Sequence, residues 1–415
     1  ITNHQCFMKQ SVLIITIFIL GYLLAIIFRS INGILAPNLI ADINLTASSL
    51  GFLTSTLLIA HALAQIPLGV YLDSHGPKKV QITLLLLAAV GCVIFALSSN
   101  IYVMTFARLM IGVGFSGALM SGFRAVSMYL KPENAALGNG IIMSAGQVGL
   151  LVTSWPTEYL LNFFTWRGTY GVFIILIFIV VFLTYILIPK QGYTDNSKPV
   201  IDRLRDLKIV LRDPSIWRLG PLVWITGGSH IALLTLWAGP WFSNVASYSR
   251  DDVATGLTIN AIAAISGIFL SGLTAKILNR FNIGILKILT IILIIHIFSL
   301  IPIIFFSPNI GVYFWIIFAM TGQGGILSYP WVTAKFGMSL SSRANTIVNL
   351  GTFVIAFFIQ WLVGVVIDLF PLIDGITYNP MAYNVSFMII LAIQIMVLFW
   401  YFSGLRYLKL DNGRT

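Results

Sequence analysis

The chain holds 415 residues, of which 58% are hydrophobic and 9% charged, with a mean hydropathy of +0.95. A soluble chain carries about 25% charged residues, and apolar runs of about 18 residues or more recur here from end to end, which excludes a water-soluble globular protein and leaves no stretch for a separate soluble domain. The formal net charge of +11 does not indicate nucleic acid, because the basic residues fall at the ends of apolar runs. Two cysteines, Cys6 and Cys92, give neither a disulfide framework nor a metal-ligand spacing.

A bilayer core of roughly 30 Å needs about 20 helical residues. On that measure the sequence predicts membrane helices over 11–40, 49–72, 80–98, 101–128, 135–160 and 168–188. The first run continues too far, without a small-x-small site, to be a cleavable signal. After a polar segment the second set follows over 215–242, 253–275, 284–306, 310–337, 344–369 and 383–405. The expectation is an all-α membrane protein of twelve spans in two six-helix bundles with pseudo-two-fold symmetry, 1–188 and 214–415, joined by a cytoplasmic linker, 189–213. Within the linker, Ile201–Leu211 has apolar residues at helical spacing, which fits either an amphipathic helix on the cytoplasmic face or a solvated tether.

With the amino terminus inside, 20 of the 24 Lys and Arg residues fall on the cytoplasmic side, the exceptions being Arg29, Arg108, Arg167 and Arg250. The positive-inside rule therefore supports an even number of spans with both termini in the cytoplasm.

After the second helix the chain reads Gly69-Val70-Tyr71-Leu72-Asp73-Ser74-His75-Gly76-Pro77-Lys78-Lys79. Gly69 allows close helix approach, Gly76 and Pro77 turn the chain, and Lys78 and Lys79 meet the anionic inner leaflet. The fourth helix carries Arg108-Leu109-Met110-Ile111-Gly112-Val113-Gly114. Both segments resemble signatures of the major facilitator superfamily, and the glycines 138, 140, 146 and 149 with Pro156 loosely resemble a motif of its exporters. The resemblance implies a transporter with a midplane solute site, in which Gly69, Asp73, Gly76, Lys78, Lys79 and Arg108 serve gating. Arg124, roughly 36 Å along the fourth helix from Asn100, reads from its position as a gate partner of Asp73, with substrate binding as the alternative. The second half's counterpart, Gly272 to Arg280, has Lys276 in place of the aspartate. Texture around Ser342-Arg343-Ala344-Asn345-Thr346 and Gln360-Trp361 is similar to nitrate/nitrite-type porters, without their glycine-asparagine pattern in helices five and eleven.

Ionisable groups at bilayer depth cost at least about 2.5–3.5 kcal/mol, so each poses a functional question. Arg29 precedes Asp42 by 13 residues, which puts it roughly 20 Å below the outer surface. It is either a guanidinium clamp for a carboxylate or phosphate or a structural pair. Acids are scarce in the spans, which favours an anionic or zwitterionic solute. Arg29, Asn32, His61, Gln147, Trp224, His230, Tyr329 and Gln360 are the candidate substrate-binding residues, each with helix packing as the alternative. His61 and His230, taken as the central histidines, and Glu158, near the outer end of helix five, are the candidate proton carriers. Gly227-Gly228 and Gly322-x-Gly324-Gly325 with Pro330 mark places for helix bending.

No HExxH, GxSxG or metal-ligand cluster is present, so neither an enzyme nor a cofactor is expected. The sequence points to a monomeric carrier in a bacterial inner membrane, whose partners are the lipid bilayer, a small solute and protons, with no nucleic acid. Export, carriage of amino acids, peptides or siderophores, and solute sensing on the same fold are the alternatives.

Overall fold

A computed structural model of the chain describes residues 2–189, 207–373 and 377–408. Residues 190–206 of the linker, with half of the amphipathic stretch, lie outside the described residues, as do Asp374, Lys409 and Arg414; residues 207–212 are helical. Among the described residues the secondary structure is helical apart from one bridge between Ile373 and Thr377. Eleven helices are long and apolar enough to cross a membrane. One of them, α2 (Ala47–Leu97), has 51 residues and is broken at Gly76, where φ is 73° and ψ 165°. It thus supplies two of the twelve predicted spans.

The break follows from local chemistry. A positive φ costs an L-residue roughly 1–2 kcal/mol, glycine escapes that cost, and Pro77 offers no amide to continue the ladder. Gly337 adopts nearly the same backbone, φ 72° and ψ 169°, inside the 41-residue α13 (Ser328–Asp368). The sequence gives no such clue there, because the residues beside Gly337 are Phe336 and Met338.

The chain divides into two compact units, Ile1–Asn38 with Thr56–Pro199, and Leu39–Ser55 with Val200–Thr415. The first is built from α1 (Thr2–Ile43), most of α2, α3 (Ile101–Ser116), α4 (Ala118–Tyr129), α5 (Pro132–Val152), α6 (Trp155–Leu161) and α7 (Trp166–Leu187). The second contains α8 (Pro214–Ala232), a π-helical turn (Leu233–Trp237), α9 (Ala238–Asn244), α10 (Arg250–Asn279), α11 (Ile285–Phe305), α12 (Pro308–Thr321), a 3-10 segment (Gly322–Leu327), α13 and α14 (Pro380–Ser403).

Gly227-Gly228, marked by the sequence as able to bend, stays α-helical, and these glycines admit α13: a Cβ on Gly228 would lie 2.7 Å from Ile355 Cγ2. The irregular turn comes later, at Leu233–Trp237. The glycines at 322, 324 and 325 do mark a change of helix type, the 3-10 segment.

Within the second unit Asp368 caps α2 from outside. Its carboxylate accepts hydrogen bonds from the Ala47 amide at 2.9 Å, the Ser48 amide at 2.8 Å and the Ser48 hydroxyl at 2.5 Å. These are the first amides of a long helix, where no intrahelical acceptor exists and negative charge is favoured. Nearby, burial and the Asp368 carboxylate push the Tyr378 hydroxyl up to about 12, so it stays protonated at neutral pH. Asp368→Ala is therefore expected to lower stability by about 1–2 kcal/mol, and Asp368→Asn by less. Melting curves of the purified protein check this, and an unchanged midpoint for Asp368→Ala would contradict the capping role.

Candidate solute site and buried charges

In the first unit Arg29 sits on α1, half-buried, within electrostatic reach of Tyr22 and His61. Tyr22 lies seven residues earlier on the same face of the helix. Its hydroxyl accepts a hydrogen bond from Gln147 Nε2 of α5 at 3.3 Å. Glycines set this geometry: a Cβ on Gly146 would stand 1.9 Å from Tyr22 Cδ1, and one on Gly149 2.7 Å from the Leu23 carbonyl. These exporter-like glycines are thus occupied in seating α5 on α1. Arg29, His61 and Gln147 come together here with Tyr22, which the sequence did not single out because a lone tyrosine in an apolar run carries no signal.

Asn32 is spent elsewhere. It is fully buried, and its Oδ1 accepts a hydrogen bond from Tyr170 of α7 at 3.0 Å. Glu158 is also buried, at 6% exposure in the first turn of α6, where the helix dipole favours its charge. Its outer position does not leave it solvated.

Arg108 occupies a different box. It is fully buried on α3, donates to the Phe28 carbonyl at 3.1 Å and lies 5.4 Å from the centre of the Phe95 ring. Phe28 in turn stacks on Phe115 at 5.2 Å. Gly112 and Gly114 let α3 approach so closely: a Cβ would meet the Leu57 carbonyl at 2.4 Å and the Ala88 amide at 2.5 Å. A guanidinium is held by a carbonyl and ring faces in place of a carboxylate.

At the motif loop, Lys78 donates to the Tyr185 carbonyl at 2.7 Å and to the Ile188 carbonyl, so it caps the end of α7. Gly69 and Asp73 are half-buried on α2, and Lys79 is exposed. Arg124 is exposed on α4. Arg167 donates to the Ser98 carbonyl at 3.3 Å and rests on the Trp166 ring at 4.3 Å.

In the second unit Trp224 packs edge-on against Trp217 at 5.8 Å, and Tyr329 is half-buried. Gln360 is fully buried, and its carbonyl accepts from Trp237 Nε1 at 2.9 Å. His230 is buried beside His296. His61 and His230 are therefore not the sole central histidines. His296 escaped notice because it stands in an unbroken run of isoleucine, leucine and phenylalanine.

The model of the Major Facilitator Superfamily matches residues 18–360. The chain belongs to this superfamily. It is 29% identical over 150 residues to the probable sulfoacetate transporter SauU of Cupriavidus necator, covering 35% of each chain. It is 21% identical over 357 residues to the nitrite extrusion protein of Bacillus subtilis, covering 77% of this chain and 87% of that one. Three curated relatives, SauU among them, are matched over 35% to 64% of their own length. The fold is similar to that of a solved D-xylose-proton symporter, with a TM-score of 0.74, 15% identity and coverage of 97% and 99% of the two chains. The relatives and the solved structure named here are all transporters.

Two glycines of α5 separate packing from empty space. Gly146→Ala has to displace the Tyr22 ring, whereas a Cβ on Gly140 meets nothing within 4 Å. Gly146→Ala is expected to lower the melting temperature and expression, and Gly140→Ala to be neutral or to stabilise by up to about 1 kcal/mol. Equal effects of the two would refute the account of how α5 is seated.

Proposed function

We propose that the chain is a secondary transporter that takes up a small anionic or zwitterionic organic solute together with protons by alternating access. The observation that carries this is Arg29, a half-buried guanidinium midway along a membrane helix with Tyr22, His61 and Gln147 around it. A guanidinium keeps its charge in any environment a protein offers, and its planar fork matches a carboxylate, sulfonate or phosphate. Buried Arg108 adds a second positive charge to the same unit, and the acid buried there, Glu158, lies toward a helix end. The field inside this unit therefore favours anions. The names of two relatives, a sulfoacetate and a nitrite carrier, agree with an anionic cargo. The distribution of Lys and Arg supports a reading with both ends on the cytoplasmic side of a bacterial inner membrane, and we propose that the chain acts as a monomer.

A ligand that binds the folded state alone stabilises it by about 2.7 kcal/mol at a hundredfold excess over its Kd. Sulfoacetate or a related small carboxylate is expected to raise the melting temperature of the wild type and to leave Arg29→Ala unmoved, with Arg29→Lys between them. Stabilisation by lipophilic cations alone, or an undiminished response of Arg29→Ala, would rule out anion recognition by Arg29. Binding without flux in sealed vesicles would make the protein a sensor.

A further inference from the structure

The second unit buries two imidazoles beside each other with no acid acting on either. His230 is 3% exposed and His296 fully buried, with ring centroids 5.9 Å apart. Phe318 closes the box, its ring stacked on His296 at 4.3 Å and tilted against His230 at 5.8 Å. The titratable group acting on His296 is His230. Arg218 on α8, Lys287 on α11, Tyr313 on α12, Asp251 and Asp252 on α10, and Lys335 and Asp368 on α13 are not among the groups acting on either ring.

The hydrogen-bond inventory shows what this pair lacks. The Phe318 carbonyl can only accept, so His296 Nδ1, 3.2 Å away, carries a hydrogen. Thr321 Oγ1 lies 3.3 Å from the same nitrogen and gives its own hydrogen to the Ile317 carbonyl at 2.7 Å. Neutral His296 therefore has a bare lone pair on Nε2, buried and without a hydrogen bond of normal geometry. His230 Nδ1 is likewise buried and without a hydrogen-bond partner, so the two neighbouring rings each hold one unpaired nitrogen. Nε2 is closed to water as well, so no ligand larger than a proton fits without movement.

We propose that His296 is a one-proton binding site, with His230 as its relay to Gln323; this rests on the transporter being proton-coupled. Gln323 is half-buried and donates to His230 Nε2 at 3.2 Å. A proton enters at His230 Nε2 as the Gln323 amide turns its carbonyl inward. His230 then releases its Nδ1 hydrogen to His296 Nε2 after ring rotation, and the charge rests beside the Phe318 carbonyl. No heavy-atom bond changes. A second proton is opposed by like charge across 5.9 Å.

The site stands where two helices leave α-geometry. His230 precedes the π turn by three residues, and Gln323 belongs to the 3-10 segment. Gly322 seats the imidazole: a Cβ there would lie 1.9 Å from His230 Nδ1. Such irregular turns mark functional hinges, so binding of the proton bears directly on the part of each helix able to change shape.

Nitrogen-15 spectroscopy of the wild type in lipid nanodiscs tests this, with histidine ring nitrogens labelled and the His296 and His230 signals assigned by their absence in His296→Gln and His230→Gln. One proton is expected to bind as the pH is lowered, giving His296 two N–H groups. The transition should vanish in His296→Gln and shift its midpoint in His230→Gln. A His296 ring that stays neutral throughout, or rings that titrate independently, would overturn the proposal. In proteoliposomes, His296→Gln should lose uptake of sulfoacetate driven by a pH gradient while keeping exchange at equal pH; loss of both, or of neither, counts against it. Failure of the wild type to move sulfoacetate would instead strike the anion reading and leave the spectroscopic result to judge the proton site.

Discussion

Hydrocarbon supplies no hydrogen bonds, so every polar group within a membrane helix has to find its partner in protein or in a water-filled cavity, and a guanidinium cannot shed its charge to escape that demand. The first unit answers the demand at two arginines, in different ways and only in part, since Nε of both and Nη2 of Arg108 are buried without a hydrogen-bond partner. Around Arg108 it closes completely, offering the Phe28 carbonyl and the Phe95 ring, and small residues at 112 and 114 bring the helices near enough to seal the box. Around Arg29 it stays partly open, with Tyr22, His61 and Gln147 at hand. The closed cation organises the bundle, and the open one is left able to meet a ligand.

The second unit adds a buried pair of imidazoles, His230 and His296. An imidazole can be neutral in a dry box, and it can change charge during a cycle. Its helices depart from α-geometry beside that box, at Leu233–Trp237 and Gly322–Leu327. Fixed charge in one unit and variable charge at hinges in the other suit a carrier that recognises an anion and couples its passage to protons. On the proposed reading the two tasks rest on separate residues, which substitution can separate.

How much of this the sequence displayed depended on whether a neighbouring residue betrayed the feature. Spans were legible because lipid solubility is written in composition, and the break at Gly76 because Pro77 follows it. Gly337 takes the same backbone with no proline beside it, and the π turn after His230 has no residue signature. Arg29 and Arg108 stood out as charges in apolar runs, yet their different surroundings depend on aromatic residues of other helices. The bond from Tyr170 to Asn32 comes from a distant helix that no local pattern announces. His296 was hidden by hydrophobic neighbours, and the carbonyl beside it comes from α12, a contact no local pattern encodes.

The central claim is that this member of the superfamily moves a small organic anion recognised by Arg29. Uptake of labelled sulfoacetate into proteoliposomes with an inward proton gradient tests it most directly. The account predicts concentrative uptake that collapses with the gradient and falls by about 100-fold in Arg29→Ala, as expected for loss of a bidentate charged contact of roughly 3 kcal/mol. Uptake that is equal in wild type and Arg29→Ala, or that is confined to cations, would contradict it.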